Sequence, residues 1–349
     1  MSVFKSAAKR AVKRAVIQTG LEAIALSGAA KLARGAAGQG LIFTLHHVQP
    51  QSTERFQPNA LLTITPEFLA IAIETALGHG LTPVPLRALP ALLADESDKR
   101  RFVCFTLDDG YRDNAQYATP VFERYQIPYT IFIAEGFINR TRSAWWETVE
   151  LVLRGAESLS FDFGHGAARI RTQSQLEKMD AFDRFAKFVA TSDEDQAVAA
   201  IDALAKAHGI DAHGLIERLT MDEKELKQLI QRPLVSFGAH TRTHVNVKRV
   251  SEARLMDELN GSAAAVAKIT GARPEAFCFP YGGHAAVGPR EVSAAASAGF
   301  KLAVTTQPGT LGAHSLARIT GLPRVSLNGY YQRRRYVSAL ISGLPFRVM

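Results

Sequence analysis

Long hydrophobic runs are what this sequence lacks first: nowhere in its 349 residues do eighteen apolar side chains follow one another, so no segment reads as a membrane span. Cysteine is almost absent. The two copies, Cys104 and Cys278, fall inside apolar runs and read as small buried hydrophobes of a reducing compartment, on strands whose placement would let them lie close together. Zinc-finger spacings and aromatic-interleaved basic patches are missing, which ranks nucleic acid last among partners. No internal repeat or low-complexity linker occurs. Acidic residues trail basic ones, 33 against 41, and the net charge of +8 favours an anionic partner such as a charged glycan or a lipid surface. What is present is a globular composition, 47% hydrophobic, in a chain long enough for one barrel-sized domain and a flanking segment.

Three short apolar runs carry the chemistry. Phe102 to Leu107 reads as a buried strand that stops at Asp108, Asp109 and Gly110. In parallel α/β folds ligands gather at the C-terminal ends of strands, so two adjacent acids there point to a site. The plainer reading, one acid capping the helix that starts near Asp113, leaves the second acid repelling the first; a metal would compensate both. Val235 to Ala239 is again strand-like and ends in His240-Thr241-Arg242-Thr243-His244, two imidazoles spaced to reach one cation. Phe277-Cys278-Phe279 ends in Pro280-Tyr281-Gly282, a turn.

In that order the three pieces closely resemble the polysaccharide deacetylases of carbohydrate esterase family four, the nodulation-type chitooligosaccharide deacetylase superfamily. The family's Thr-Phe-Asp-Asp-Gly appears as Thr106-Leu107-Asp108-Asp109-Gly110, its His-Ser/Thr-x-x-His as His240 to His244, and its Arg-x-Pro-Tyr as Cys278-Phe279-Pro280-Tyr281. The resemblance covers roughly residues 41 to 327. It implies a distorted (β/α) barrel of about seven strands, in the α/β class.

Along the chain, residues 1–40 read as a basic amphipathic helical segment, with Phe4, Ala8, Val12 and Val16 on one face and Lys5, Lys9 and Lys13 beside it. Packing against the barrel and lying on an anionic membrane face are its two readings. Gln18 and Glu22 interrupt the apolar region a secretory signal needs, so the expected location is the cytoplasm, with membrane-peripheral contact as the variant. Residues 41–328 alternate strand and helix and form the barrel. Within them, residues 139–233 break the rhythm and read as a polar helical insertion on the rim. Trp145 and Trp146 open that insertion, suited equally to stacking on sugar rings and to anchoring it. Residues 329–349 are a basic tail carrying Arg333, Arg334 and Arg335, either a solvated turn or a second anionic-surface contact.

The resemblance assigns roles. Asp109, His240 and His244 would bind one divalent metal ion, zinc foremost, with cobalt or another divalent ion open to the same ligand set. Asp108 would be the base and the Tyr281 N–H an oxyanion donor. Two departures stand out. The arginine that orients the base is replaced by Cys278, which makes Arg324 on the last strand the candidate partner, against a solvent-facing salt bridge. The family's closing leucine-x-histidine motif is missing as well. In the branch whose order is permuted, a Tyr-His-x-Val strand comes first, and Leu45-His46-His47-Val48 matches it with leucine for tyrosine, so His46 is the candidate acid. Composition alone would make the histidine pair a hydrogen-bonded core feature; side-chain alternation makes His47 structural. The implied function is removal of N-acetyl groups from N-acetylhexosamine units of an oligo- or polysaccharide, lipid-linked glycans included. O-acetyl ester or non-sugar amide deacetylation, and a catalytically silent glycan-binding protein, are the alternatives.

Overall fold

The structure is a computed structural model and describes residues 2–27 and 34–347; the side chains of residues 2–9, with Phe4, Lys5, Ala8 and Lys9 among them, and of residue 34 lie outside the description. Apolar runs too continuous for a one-sided sheet become parallel strands covered on both faces. In chain order the strands are β1 (Gly40–Leu45), β2 (His47–Val48), β3 (Thr63–Ile64), β4 (Leu81–Pro83), β5 (Arg101–Leu107), β6 (Tyr129–Ile133), β7 (Ser158–Asp162), β8 (Ala167–Arg171), β9 (Val235–Ala239), β10 (Ala276–Cys278), β11 (Leu302–Val304) and β12 (Val325–Ser326). The main sheet runs β11-β10-β9-β6-β5-β1-β12, with β4 on the lower half of the β5 edge that β6 occupies above. Its ends meet. Leu322 bonds into β11 through Thr305 N–H (2.9 Å) and Ala303 O (2.8 Å), and the next residues pair with β1 at Phe43↔Val325. A curled, distorted barrel results.

Alternation along these strands decides what faces inward. Leu41, Phe43, Leu45, Val103, Phe105, Leu107, Phe237, Ala239, Val325 and Leu327 pack outward with the helices Pro66–Gly78 and Glu252–Thr270. Ile42, Phe102, Cys104, Phe132, Cys278, Val304 and Leu322 form the enclosed cluster. Carrying that second parity past each strand end places His46, Asp108, His240 and Arg324 at one mouth. Gly238 shows how tight the interior is: a Cβ there would stand 2.3 Å from the Phe132 ring.

Between β6 and β9 the insertion has its own core, including Trp145, Trp146, Phe161, Phe185 and Ile201. It is mainly helical, but β7 and β8 form an antiparallel hairpin that the polar reading of this stretch passes over. The helix Ser2–Ser27 packs through Ile17, Leu21 and Ile24 against Tyr331 and Tyr336, leaving Val12 and Val16 62% and 65% exposed. The described half of the expected apolar face, Val12 and Val16, is therefore not buried. Glu22 sets the rotation by accepting from Arg335 (2.6 Å) and Tyr336 Oη (2.5 Å), with Arg14 3.6 Å over Tyr330. Three of the tail's arginines are accordingly paired: Arg333 and Arg335 with Glu22, Arg334 with Glu74. No helix among the described residues is long and apolar enough to cross a membrane.

Candidate active site

At the barrel mouth the backbone bends sharply. Asp109 (φ 71°), Thr241 (63°), His244 (53°) and Tyr281 (62°) all adopt left-handed conformations, four of the six non-glycine residues that do so among the described residues. Strained backbone of this kind collects at functional sites because it aims side chains that regular strands would separate. One product of the bends is a buried triad: Asp109 Oδ1 lies 3.4 Å from His240 Nε2 and 3.2 Å from His244 Nε2. His240 turns its other nitrogen, Nδ1, to the Cys278 carbonyl at 2.7 Å, which fixes the ring and points Nε2 at Asp109. Asp109 Oδ1 is buried without a hydrogen-bond partner. A carboxylate oxygen and two imidazole nitrogens converging on one point, with the oxygen unmet, is a donor set that fits a divalent cation. Burial alone would raise the Asp109 pKa, but His244 and His240 override it and hold the carboxyl well below its ordinary value.

Asp108 is the opposite case. The Arg324 guanidinium meets it as a fork, Nη1 to Oδ1 at 2.8 Å and Nη2 to Oδ2 at 2.7 Å. The other Arg324 donors go to Thr305 O (2.8 Å), Thr106 Oγ1 (3.0 Å) and Cys278 Sγ (3.1 Å), so a fully buried arginine has all five N–H groups engaged. Arg324 is thus no surface ion pair. Burial opposes charge on Asp108, yet Arg324 keeps the carboxyl below its ordinary pKa. Cys278 is small enough to leave the guanidinium room, and burial pushes its thiol up, so it stands as a neutral S–H 3.6 Å from Asp108 Oδ2. Cys104 is a free, buried neighbour in the same interior cluster.

His46 and His47 part at the end of β1. His46 Nε2 lies 3.8 Å from Asp108 Oδ2, with 21% of the side chain exposed. Burial lowers its pKa, against the pull of Asp108 and Asp109. His47 turns away, its Nδ1 2.5 Å from Asp113 and its Nε2 3.3 Å from Glu147, against the Tyr111 ring at 3.6 Å. Burial would lower its pKa too, but the two carboxylates win and carry it up to about 10. Asp113 and Glu147 are the residues that make His47 a fixed ion rather than part of the mouth.

A family model described as polysaccharide deacetylase matches residues 95–303, more than half of the chain and all three motif turns. The chain belongs to the polysaccharide deacetylase family. It is a hydrolase that deacetylates polysaccharides. Among solved structures, the Streptococcus pyogenes deacetylase PplD in complex with acetate is 16% identical with a TM-score of 0.54, covering 83% of this chain and 92% of that one. A polysaccharide deacetylase from Bacillus cereus is 14% identical at 0.52, covering 86% and 68%. IcaB from Ammonifex degensii is 14% identical at 0.51, covering 86% and 97%. These likenesses concern the fold. No curated protein matches.

In this deacetylase the insertion is a wall of the site. Trp145 Nε1 donates to Tyr281 Oη (3.1 Å) and Trp146 Nε1 to Tyr111 Oη (3.1 Å); both indoles are more than nine-tenths buried, the geometry of anchors rather than of open stacking platforms. Glu194, which the sequence offers only as one more acid on a polar helix, spans two turns: Oε1 accepts from Tyr281 Oη (2.7 Å) and Oε2 from Asn246 N (2.9 Å), two residues past His244. Glu258 does the same for the middle of the histidine turn, accepting from Arg242 N (2.8 Å) and Thr243 N (2.9 Å). Neither carboxylate carries a sequence signal beyond its place on a helix. The Tyr281 N–H donates to no other backbone group among the described residues.

Proposed function

We propose that this protein removes N-acetyl groups from N-acetylhexosamine units of a polysaccharide by metal-dependent hydrolysis. The observation that carries the reading is the contrast at the mouth, where Asp109 Oδ1 faces two imidazoles unpartnered while Asp108 beside it is held by Arg324. A divalent ion held by Asp109, His240 and His244, zinc being the first choice for this ligand set, would supply Lewis acidity that activates a water and polarises the acetamide carbonyl. Asp108, kept ionised and oriented by Arg324, takes the proton from the attacking water. The Tyr281 N–H donates to the oxygen that gains charge as the carbonyl carbon becomes tetrahedral. His46 gives its proton to the nitrogen as the C–N bond breaks, releasing acetate and the free amine. Burial lowers the His46 pKa, which makes its imidazolium a stronger donor to a departing amine.

His46 at the end of the first barrel strand fits the permuted order of elements, in which the acid comes before the Asp-Asp strand. Arg324 in place of the motif arginine supports an enzyme over a silent glycan-binding protein, since a binding module has no use for an oriented free carboxylate. A cytoplasmic location follows from the sequence reading, with the helix Ser2–Ser27 as the element for peripheral membrane contact. The deciding experiment is mass spectrometry of N-acetylglucosamine oligomers incubated with zinc-loaded protein. Loss of acetyl groups that disappears on chelation and returns with metal is the expected result; unchanged oligomers, or loss indifferent to chelation, would overturn the reading.

A further inference from the structure

The sheet does not hold the two histidines of the β9 turn at their spacing. Strand β9 ends at Ala239, and His240 N donates to Ile133 O at 3.1 Å just beyond it. From there the chain bends into left-handed conformations at Thr241 and again at His244. A β-branched residue is strained in that region, so the turn needs support from outside to keep one shape. Two elements supply it. Glu135 N donates to Thr241 O (3.2 Å) and Gly136 N to Arg242 O (2.6 Å), both from the start of the short helix Glu135–Ile138. On the other side, one oxygen of Glu258 accepts from two consecutive N–H groups, Arg242 at 2.8 Å and Thr243 at 2.9 Å, while its second oxygen takes the Thr243 hydroxyl at 2.6 Å. The Arg242 side chain straps the outside, Nε on Glu135 Oε2 and Nη1 on Asp257 Oδ2, both at 2.8 Å. Gly261 leaves it room: a Cβ there would stand 2.2 Å from Arg242 Cδ.

These contacts differ in depth. Asp257 is exposed, so water screens its pair with Arg242. Glu258 is 2% exposed, on the helix Glu252–Thr270, whose Leu255 and Leu259 lie in the main core. A buried carboxylate is costly unless its oxygens are met, and here the turn meets both, with Arg254 Nη2 as counter-charge at 3.4 Å. Adjacent N–H groups that converge on one anion form a concave nest, and the helix fixes where that anion sits. Glu258 therefore ties the stretch between His240 and His244 to the core of the barrel rather than to the turn's own preferences.

Resting on the proposed metal-dependent reading, we propose that Glu258 is a positioning residue for the metal, setting its affinity by holding the turn so that His240 and His244 are aligned before the ion arrives. The test measures zinc dissociation constants, by competition with a chromophoric chelator, for wild type, Glu258→Ala, Glu258→Gln and Asp257→Ala, each well below the melting temperature of its metal-free form. Glu258→Ala should bind zinc about ten- to a hundredfold more weakly, the range for groups that orient metal ligands. Glu258→Gln should bind more tightly than Glu258→Ala, because its amide oxygen can still accept both N–H groups while its NH2 donates to the Thr243 hydroxyl. Asp257→Ala loses only the exposed pair and should bind as wild type does. If Glu258→Ala does not fold, Glu258→Asp, one methylene short of the turn, takes its place with a loss expected in the same direction. Wild-type zinc affinity in the folded Glu258 variants, even with a lowered melting temperature, overturns the proposal and leaves metal dependence standing, as does a glutamine variant no tighter than alanine. A wild-type protein that binds no zinc removes the metal reading and this one with it.

Discussion

Asp108 and Asp109 are neighbours in the chain, each no more than 3% exposed, yet they live in opposite surroundings. Asp108 has both oxygens on a guanidinium that is itself saturated. Asp109 has an oxygen that meets only imidazoles. Two like charges side by side in a protein interior repel strongly, and such a pair persists when each has its own counter-charge. The bend at Asp109 (φ 71°) is what gives the two carboxylates separate environments. The lesson is that one carboxylate is satisfied by the protein's own guanidinium, while the other is left with an oxygen that only imidazoles face.

The contrast breaks most completely if the metal half is emptied. In His240→Ala the ion should be lost and turnover should fall to background, as it should in Asp109→Ala or His244→Ala; elemental analysis beside an activity assay checks both. Stoichiometric metal at wild-type affinity in His240→Ala would defeat the ligand set. Asp108→Asn sharpens the comparison from the other side. It should retain the ion and lose turnover on the order of a hundredfold, the usual size of a general-base contribution. Loss of metal in that variant would mean the two carboxylates share the cation.

Much of this half-and-half design is legible in the sequence, because parallel strands are written as apolar runs and their ends are marked by Gly110, Pro280 and Gly282. The inward parity of Asp108 and His240 follows from counting in twos. Arg324 is harder: it lies far along the chain from Asp108, and only the replacement of the motif arginine by Cys278 directs attention to it. Glu194 is not legible at all, since nothing local separates a carboxylate on a solvated helix from one that docks onto another turn. The hairpin of β7 and β8 is written as alternation of Leu159 and Phe161 with polar neighbours, but two apolar residues are too few to stand out within a helical stretch. The first helix misleads for a related reason. Periodicity reports a face, and tertiary partners such as Glu22 choose which face is used.

The two histidines at the end of β1 test the same division at smaller amplitude. His46→Ala should lower turnover about tenfold or more with metal content unchanged, as expected of a proton donor. His47→Ala should instead cost stability, about 3 kcal/mol, because Asp113 and Glu147, both partly buried, would lose their shared cation. The pH dependence has a definite sign. With its pKa raised from 6.5 to about 10 in the folded protein, His47 contributes fully below pH 6.5, progressively less as pH rises, and nothing above about 10. Denaturant melts of wild type and His47→Ala should therefore differ most at pH 6 and converge toward pH 10. A gap independent of pH would mean that His47 acts through packing on Tyr111 alone.

The smallest expected effect concerns the carboxylate that joins the halves. Glu194 accepts from Tyr281 Oη on one oxygen and from Asn246 N on the other. Tyr281 Oη already takes the Trp145 N–H, so its own proton must go to Glu194. In Glu194→Gln one end of the amide can accept only one of those two donors, and its NH2 group confronts the other. Either the turn carrying the Tyr281 N–H or the one that follows His244 then loses a restraint, while the side chains of Asp109, His240 and His244 keep their own contacts. Turnover should fall about three- to tenfold, the equivalent of one hydrogen bond, with KM and metal content held. Tyr281→Phe removes the same bond from the other side. If Glu194 acts through that tyrosine, the double variant should be no slower than the slower single one, because the second substitution finds nothing left to break. Losses that multiply in the double variant, or a lowered melting temperature with unchanged kcat, would reduce Glu194 to an ordinary brace of the insertion.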